Sequence, residues 1–279
     1  MAICIHFLSY RIGGITWLGG AIGDNGFDSF PENNLVVNRF PSMHGFVTKH
    51  YFFKLLKAHK KVFPEDFSFF PDTWLLPEET KEFEKSRCSL TQAETIYNQG
   101  RAKISSISIS KKHFFCNSNI CTDLGSSPIK TFICRRGMVR ICAEKYDIPT
   151  ERNVANHFIH LTNYAVNKAH PKYVHSANLH DKNGNKRLLD DILEELTTQG
   201  VDKNYVWEQI KRIANGVLTV LLPLLKLHYS FFDKKSIEKS IKCFQIIGLD
   251  ILLDRNHRAW LLEVNANPSL RAGICFAML

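Results

Sequence analysis

The run Cys243-Phe-Gln-Ile-Ile-Gly-Leu-Asp250-Ile-Leu-Leu-Asp254, followed by Arg255-Asn-His-Arg258 and then Ala259-Trp-Leu-Leu-Glu263-Val-Asn265-Ala-Asn267-Pro268, decides how the chain is read. Two β-rich apolar runs around a polar tetrapeptide predict a β-hairpin. A turn centred on Asn256 and His257 sets Asp250 opposite Glu263, and Asn265 two residues on shares their face. Gly248 then falls opposite Asn265, with no side chain to cover the amide. Facing carboxylates repel unless a cation lies between them, and within apolar runs an unpaired charge is costly. A hairpin can also carry such a pair on a solvated face. Here the apolar surroundings favour an all-oxygen metal site. Asp250, Glu263 and the Asn265 amide oxygen suit Mg²⁺, which takes one or two carboxylates together with substrate phosphates.

The 279 residues are enough for one large domain or two small ones. Hydrophobic residues make up 44% and charged residues 23%, the balance of a soluble globular protein. No run reaches the ~18 apolar residues of a membrane span, and Met1–Gly20 lacks the apolar core and cleavage site of a signal peptide. The eight cysteines fall at irregular spacings without a C-x-x-C pair, as free thiols in a reducing cytosol do. The net charge of +9 points to an acidic partner, and charge alone does not choose among nucleic acid, anionic membrane and protein. Phe52-Phe-Lys54-Leu-Leu-Lys57-Ala-His59-Lys60-Lys61 has helical apolar spacing and serves equally as a solvated helix or a binding face.

Along the chain, residues 1–40 form a small, partly stranded unit, and Thr48–Val62 is an amphipathic helix that ends before Pro64. Phe67–Leu76 is extended. Glu78–Ser127 opens with a charged helix-like run, then becomes polar, repetitive and Asn/Ser/Cys-rich, and is expected to be mostly loop or disordered. Ile129–Cys134 and Met138–Cys142 form a second hairpin about Arg135-Arg-Gly137. Helices follow over Leu188–Leu196 and, capped by Asp202, to about Phe231 with a kink or break at Pro223. The fold class is α+β. Thr162 and Asn163 sit where side chains commonly satisfy turn backbone groups. The scattered histidines 157, 160, 170, 175 and 180 are not spaced as a zinc site.

Four blocks together resemble the tubulin–tyrosine ligase-like family of ATP-grasp amino-acid ligases. They are Val37-Asn-Arg39-Phe-Pro41 with Phe70-Pro-Asp-Thr-Trp74-Leu-Leu-Pro77; Gly137-Met-Val-Arg140-Ile-Cys-Ala-Glu144-Lys-Tyr146; His160-Leu-Thr162-Asn163-Tyr164; and the hairpin 243–270. The resemblance implies an ATP-grasp-like fold with three parts. Residues 1–77 are an N-terminal α/β unit, 78–128 an insert in place of the central subdomain, and 129–279 the C-terminal subdomain with the metal hairpin. It implies ATP and Mg²⁺ as cofactors, with metal at Asp250, Glu263 and Asn265 and nucleotide at Thr162, Asn163, Asp250 and Glu263. His160, Thr162 and Asn163 carry the catalytic role.

The implied reaction adds free glutamate to glutamate side chains of acidic tubulin C-terminal tails through an acyl-phosphate, and the closing Glu-Val-Asn-Ala-Asn-Pro-Ser is nearest to the glutamylating members. The implied chain is a monomer that binds neither nucleic acid nor membrane and works in the cytoplasm on the microtubule cytoskeleton, including cilia or basal bodies. The family's Lys-Pro dipeptide, Gln-Gly-x-Gly loop and Asp-x-Arg strand have no counterparts, Asn98-Gln-Gly-Arg101 being a partial echo. The central subdomain is therefore expected to be incomplete and the sheet to lack strands. Arg101, Lys103, Lys111 and Lys112 are the only residues of 81–128 that could substitute, and whether any reaches the phosphates separates a ligase from a pseudoenzyme; the chain reads as a shortened gene product. A non-catalytic tubulin- or microtubule-binding pseudoenzyme and a ligase for another acidic protein are the alternative readings.

Overall fold

Cys243 to Leu253 is apolar on both alternating faces, the pattern of a strand covered on both sides. In the computed structural model it is the interior strand of a mixed sheet, and almost every one of its residues from 243 on is buried. The structure describes residues 9–12, 15–18, 36–89, 114–123, 130–147, 150, 152–153, 155–160, 162, 164–178, 180–235, 242–254 and 256–268. Nine strands are described: β1 (Ser9–Ile12), β2 (Ile15–Leu18), β3 (Val36–Val37), β4 (Phe114–Asp123), β5 (Lys130–Ile133), β6 (Met138–Ile141), β7 (Lys186–Leu188), β8 (Lys242–Leu253) and β9 (Ala259–Asn265). Their order is β1-β2-β3-β8-β4-β6-β7, with β5 on β4 and β9 on β8. The helices are α1 (Met43–Phe46), α2 (Lys49–Val62), α3 (Thr80–Ser89), α4 (His157–His160), α5 (Tyr164–Asn167), α6 (Leu189–Thr198) and α7 (Lys203–Lys235). Helices and a sheet share one core, so the chain is α+β as its pattern implies.

Three expectations change. The stretch 78–128, read as mostly loop after a helix-like opening, has α3 at that opening and, against expectation, the ten-residue β4, which pairs with β8 from Phe115↔Leu252 to Asp123↔Phe244. Its Asn/Ser/Cys composition carries little β-propensity, and pairing on both edges supplies what propensity does not. Next, Arg135-Arg136-Gly137 does not turn a hairpin. β5 and β6 both run antiparallel to β4, along the edge away from β8. Four residues, Cys134–Gly137, face two on β4, Ser118 and Asn119, so the glycine marks a bulge within one interrupted strand. Finally, Pro223 does not end the long helix, which continues through it to Lys235. Asn98–Arg101, Lys103, Lys111 and Lys112 lie outside the described residues.

Helix α2 forms where the spacing places it: Phe52, Phe53 and Leu56 are buried, and Lys54 and Lys61 are exposed. Asp202 caps α7, its carboxylate accepting from Asn204 N at 2.8 Å. Along α7, Val206, Ile210, Ile213, Val217, Val220 and Leu221 are buried, and they join Leu249, Ile251 and Leu261 in one core. Gly216 is where α7 meets the aromatic segment 67–70. A Cβ there would sit 2.4 Å from Phe69 Cε1, and Phe69 is itself buried between Phe67 and Phe70. Gly216→Ala should therefore destabilise the chain by ~1–2 kcal/mol. Overpacking of ~1–3 kcal/mol outweighs the ~1 kcal/mol of helix propensity gained. A rise in the urea midpoint would show that Phe69 can yield.

The N-terminal block is clamped to the hairpin. Asn38 exchanges hydrogen bonds with the Leu18 backbone at 2.7 and 3.2 Å. Arg39 reaches Leu18 O at 2.9 Å and the Asn267 side chain. Buried Gln245 accepts from Phe40 N at 2.8 Å and donates to Ala266 O. Val37-Asn-Arg-Phe thus holds the end of β9 in place.

Candidate metal and nucleotide site

The register sets Asp250 opposite Glu263 and Gly248 opposite Asn265, the arrangement expected from the sequence. The route differs from the expected one. Near the turn Leu253 pairs with Ala259 and Ile251 with Leu261, one residue short of a turn centred on Asn256 and His257. A bulge at Leu262 restores the register between Ile251 and Asp250.

The hairpin is held at its tip by Asp254. Its Oδ1 accepts from Asn256 N at 2.8 Å and Arg258 N at 3.0 Å, and its Oδ2 accepts from Trp260 Nε1 at 3.0 Å. Gln209 on α7 donates to His257 O and accepts from Ala259 N, both at 2.9 Å, and Leu261 N donates to Phe69 O at 2.8 Å. The strand that carries Glu263 is therefore fixed from both sides.

Asp250 is 4% exposed. Burial pushes its carboxyl up to about 7; the Arg140 guanidinium opposes that rise, and Glu263 beside it adds to it. Burial also works against ionisation of Glu263. The hydrogen bond from Asp250 and the Lys49 ammonium outweigh it and hold Glu263 below the usual carboxylate range. Of the two facing carboxyls, Asp250 is thus the one that takes up a proton more readily. Arg140 Nη2 donates to Asp250 Oδ2 at 3.3 Å, Lys49 Nζ lies 2.7 Å from Glu263 Oε2, and Asn265 Nδ2 donates to Glu263 Oε1 at 3.4 Å.

These two cations are what the sequence reading missed. They were sought in 81–128; Lys49 instead comes from the first turn of α2 and Arg140 from β6. For Arg140 a signal existed: it alternates with buried Val139 and Ile141, where an arginine needs a partner. Lys49 has no local signal. Its position depends on how α2 packs.

Two carboxylates and an amide oxygen on rigid strands form a hard-oxygen set that fits Mg²⁺, with coordination positions left for water and phosphate. Among the described residues no three His, Cys, Asp or Glu side chains gather as a metal cluster, so the amide is needed to complete the set. Lys186, opposite Arg140 on β7, adds a third cation, and burial followed by the Arg140 charge lowers its pKa.

The 160–163 block is placed differently. His160 is buried, its Nε2 3.1 Å from Asn153 O and its ring edge-on to Tyr146 at 5.9 Å. Thr162 is half-buried and belongs to no helix or strand, and Asn163 lies outside the described residues. Burial keeps the His160 pKa below its ordinary value. The unfolded chain then takes up the proton first, so His160 costs stability as pH falls below about 6.5 and nothing above it. Between pH 7.5 and 5.5 the parent's urea midpoint should fall further than that of His160→Gln. Equal falls would mean that His160 titrates normally.

Residues 122–274 match the Tubulin-tyrosine ligase family. A tubulin polyglutamylase of Caenorhabditis elegans is 30% identical over 85% of this chain and 38% of its own length. Tubulin polyglutamylases of Mus musculus and Homo sapiens are 31% and 29% identical over 87% and 92% of this chain, and 38% and 40% of theirs. The chain thus spans about two-fifths of the length of these relatives. Among the described residues no helix is long and apolar enough to cross a membrane. The match covers more than half of the chain, including the hairpin with its carboxylate pair, and the chain belongs to the tubulin–tyrosine ligase family.

Proposed function

We propose that this chain is an ATP- and Mg²⁺-dependent ligase of ATP-grasp type that adds glutamate to glutamate side chains of tubulin C-terminal tails, acting at the microtubule cytoskeleton. The observation that carries this reading is the Asp250–Glu263 pair with Asn265 beside it and Lys49 and Arg140 within contact. Similarity to tubulin polyglutamylases supplies the substrate.

Mg²⁺·ATP, when bound, supplies the phosphoryl group that activates the acceptor carboxylate and neutralises the charge that develops. Asp250, Glu263 and Asn265 would hold the metal. Arg140 and Lys49, which lie against these carboxylates, would supply positive charge to the phosphates. His160 anchors the segment that presents Thr162 and Asn163 to nucleotide and acceptor. Because the family's Lys-Pro dipeptide and Asp-x-Arg motif have no counterparts in the sequence, we hold the central subdomain to be shortened and these strand- and helix-borne cations to take over its role.

Purified chain should incorporate labelled glutamate into tubulin with Mg²⁺·ATP, and not into tubulin whose acidic tails have been removed. Binding without incorporation would favour the second reading, a non-catalytic tubulin-binding protein. The observation on that side is that Lys49 pairs with Glu263 and Arg140 with Asp250, so cations already face both carboxylates.

A further inference from the structure

We propose that the chain carries a second anion site, at the β7 edge of the sheet, which takes carboxylates of an acidic peptide. β6 and β7 pair through Val139↔Arg187 and Arg140↔Lys186, so Arg187 lies on the face opposite the one that Arg140 and Asp250 share. Beside it opens a cavity of about 470 Å³, lined by Lys145, Lys172, Lys182, Arg187 and the Asn183–Gly184 backbone. That is within the usual size of ligand pockets.

Three of the four cations around this cavity are unpaired. Lys145, Lys172 and Lys182 are exposed, and among the described residues none of the three has an ion-pair partner. The acidic wall residue, Glu144, is already engaged: one oxygen is 2.8 Å from His170 Nε2 and the other accepts from Asn156 Nδ2 at 3.3 Å. Arg187 is 2% exposed, held through Nη1 by Glu195 at 2.7 Å, and its buried Nε has no hydrogen-bond partner among the described residues.

The loop that brings the lysines together is built. Val174 and Asn185 exchange two hydrogen bonds, at 2.8 and 3.0 Å, and Asp181 accepts from Ala177 N and Asn183 N at 2.8 Å. Gly184 is pressed so closely on Ser176 that a Cβ would lie 2.0 Å from its Oγ. Cys142 in the wall is held protonated, burial pushing its thiol up to about 12, and so adds no negative charge.

The chemistry of these cations selects the occupant. Three ammonium groups on flexible stems, spaced around a wide cavity, suit several separate carboxylates. A single phosphate is better held by an arginine fork or a nest of backbone amides. The site stands on its own geometry; that its occupant is the acidic acceptor segment rests on the ligase reading above.

The test is binding of a fluorescent oligoglutamate peptide to the full chain. Lys172→Gln/Lys182→Gln should weaken binding about tenfold, whereas Lys54→Gln/Lys226→Gln, which removes the same charge elsewhere, should change it little. The variants' thermal midpoints check that each is folded. Equal losses in the two doubles would mean diffuse attraction and overturn the site, as would peptide binding unchanged by Lys172→Gln/Lys182→Gln. Inorganic phosphate that saturates the chain while oligoglutamate does not would assign the cavity to phosphate instead. The ligase reading fails separately: peptide binding that needs Lys172 and Lys182 in a chain that incorporates no glutamate keeps the anion site and removes the ligase.

Discussion

Glu263→Gln is expected to erase the stabilisation that millimolar Mg²⁺·ATP gives the parent chain. A ligand at about 100 times its dissociation constant stabilises the folded state by roughly 2.7 kcal/mol, several degrees in Tm for a chain of this size. Glutamine keeps the shape and the contact with Asn265 but removes the charge that Asp250 and Lys49 lean on. The metal then loses a hard anionic ligand, and Lys49 is left facing an amide. Without nucleotide the variant should unfold close to the parent, because losing the contact with exposed Lys49 is offset by removing one of two facing carboxylates. Arg140→Met should act on the other half, leaving buried Asp250 without the guanidinium that moderates its charge. A nucleotide shift of parental size in Glu263→Gln would place ATP elsewhere.

The largest effect on stability is expected at Asp254→Ala. Asp254 is 5% exposed and accepts three hydrogen bonds, from two backbone amides of the turn and from the Trp260 indole. Alanine leaves those donors without an acceptor in a turn braced by Gln209 and by Arg258, whose guanidinium stacks 4.2 Å from the Trp260 ring centre and donates to Ser68 O. Orphaned donors cost ~1–3 kcal/mol each when water cannot reach them, so a loss of ~3 kcal/mol is expected. Asp254→Asn retains one acceptor and should lose about half of that. Because the turn sets the register of β9, Asp254→Ala should also weaken nucleotide binding although it touches no ligand. Unfolding within 1 kcal/mol of the parent would mean that the strands alone fix the hairpin.

The facing pair Asp250 and Glu263, with Asn265 beyond it, was legible because strand alternation is rigid and the apolar residues on both sides allow one register. The path to that register was not. A bulge at Leu262 compensates a turn one residue off centre, and no residue type announces it. The helices α2, α6 and α7 announce themselves by periodic apolar residues and by Asp202. β4 does not, since Phe114–Asp123 reads as a polar stretch and becomes a strand only between β8 and β6. The same holds for the cations. Arg140 and Lys49 come from elements far from the hairpin in sequence, and only the packed sheet and α2 bring them to its carboxylates.

The claim that the hairpin is a divalent-metal site is tested most directly by Mn²⁺ bound in the presence of ATP, read by electron paramagnetic resonance on the parent and on Asp250→Asn. The parent should remove Mn²⁺ from the free pool at one site per chain with ATP present, and Asp250→Asn should leave it free. Mn²⁺ bound equally by both would contradict the assignment, whatever the glutamate assay gave.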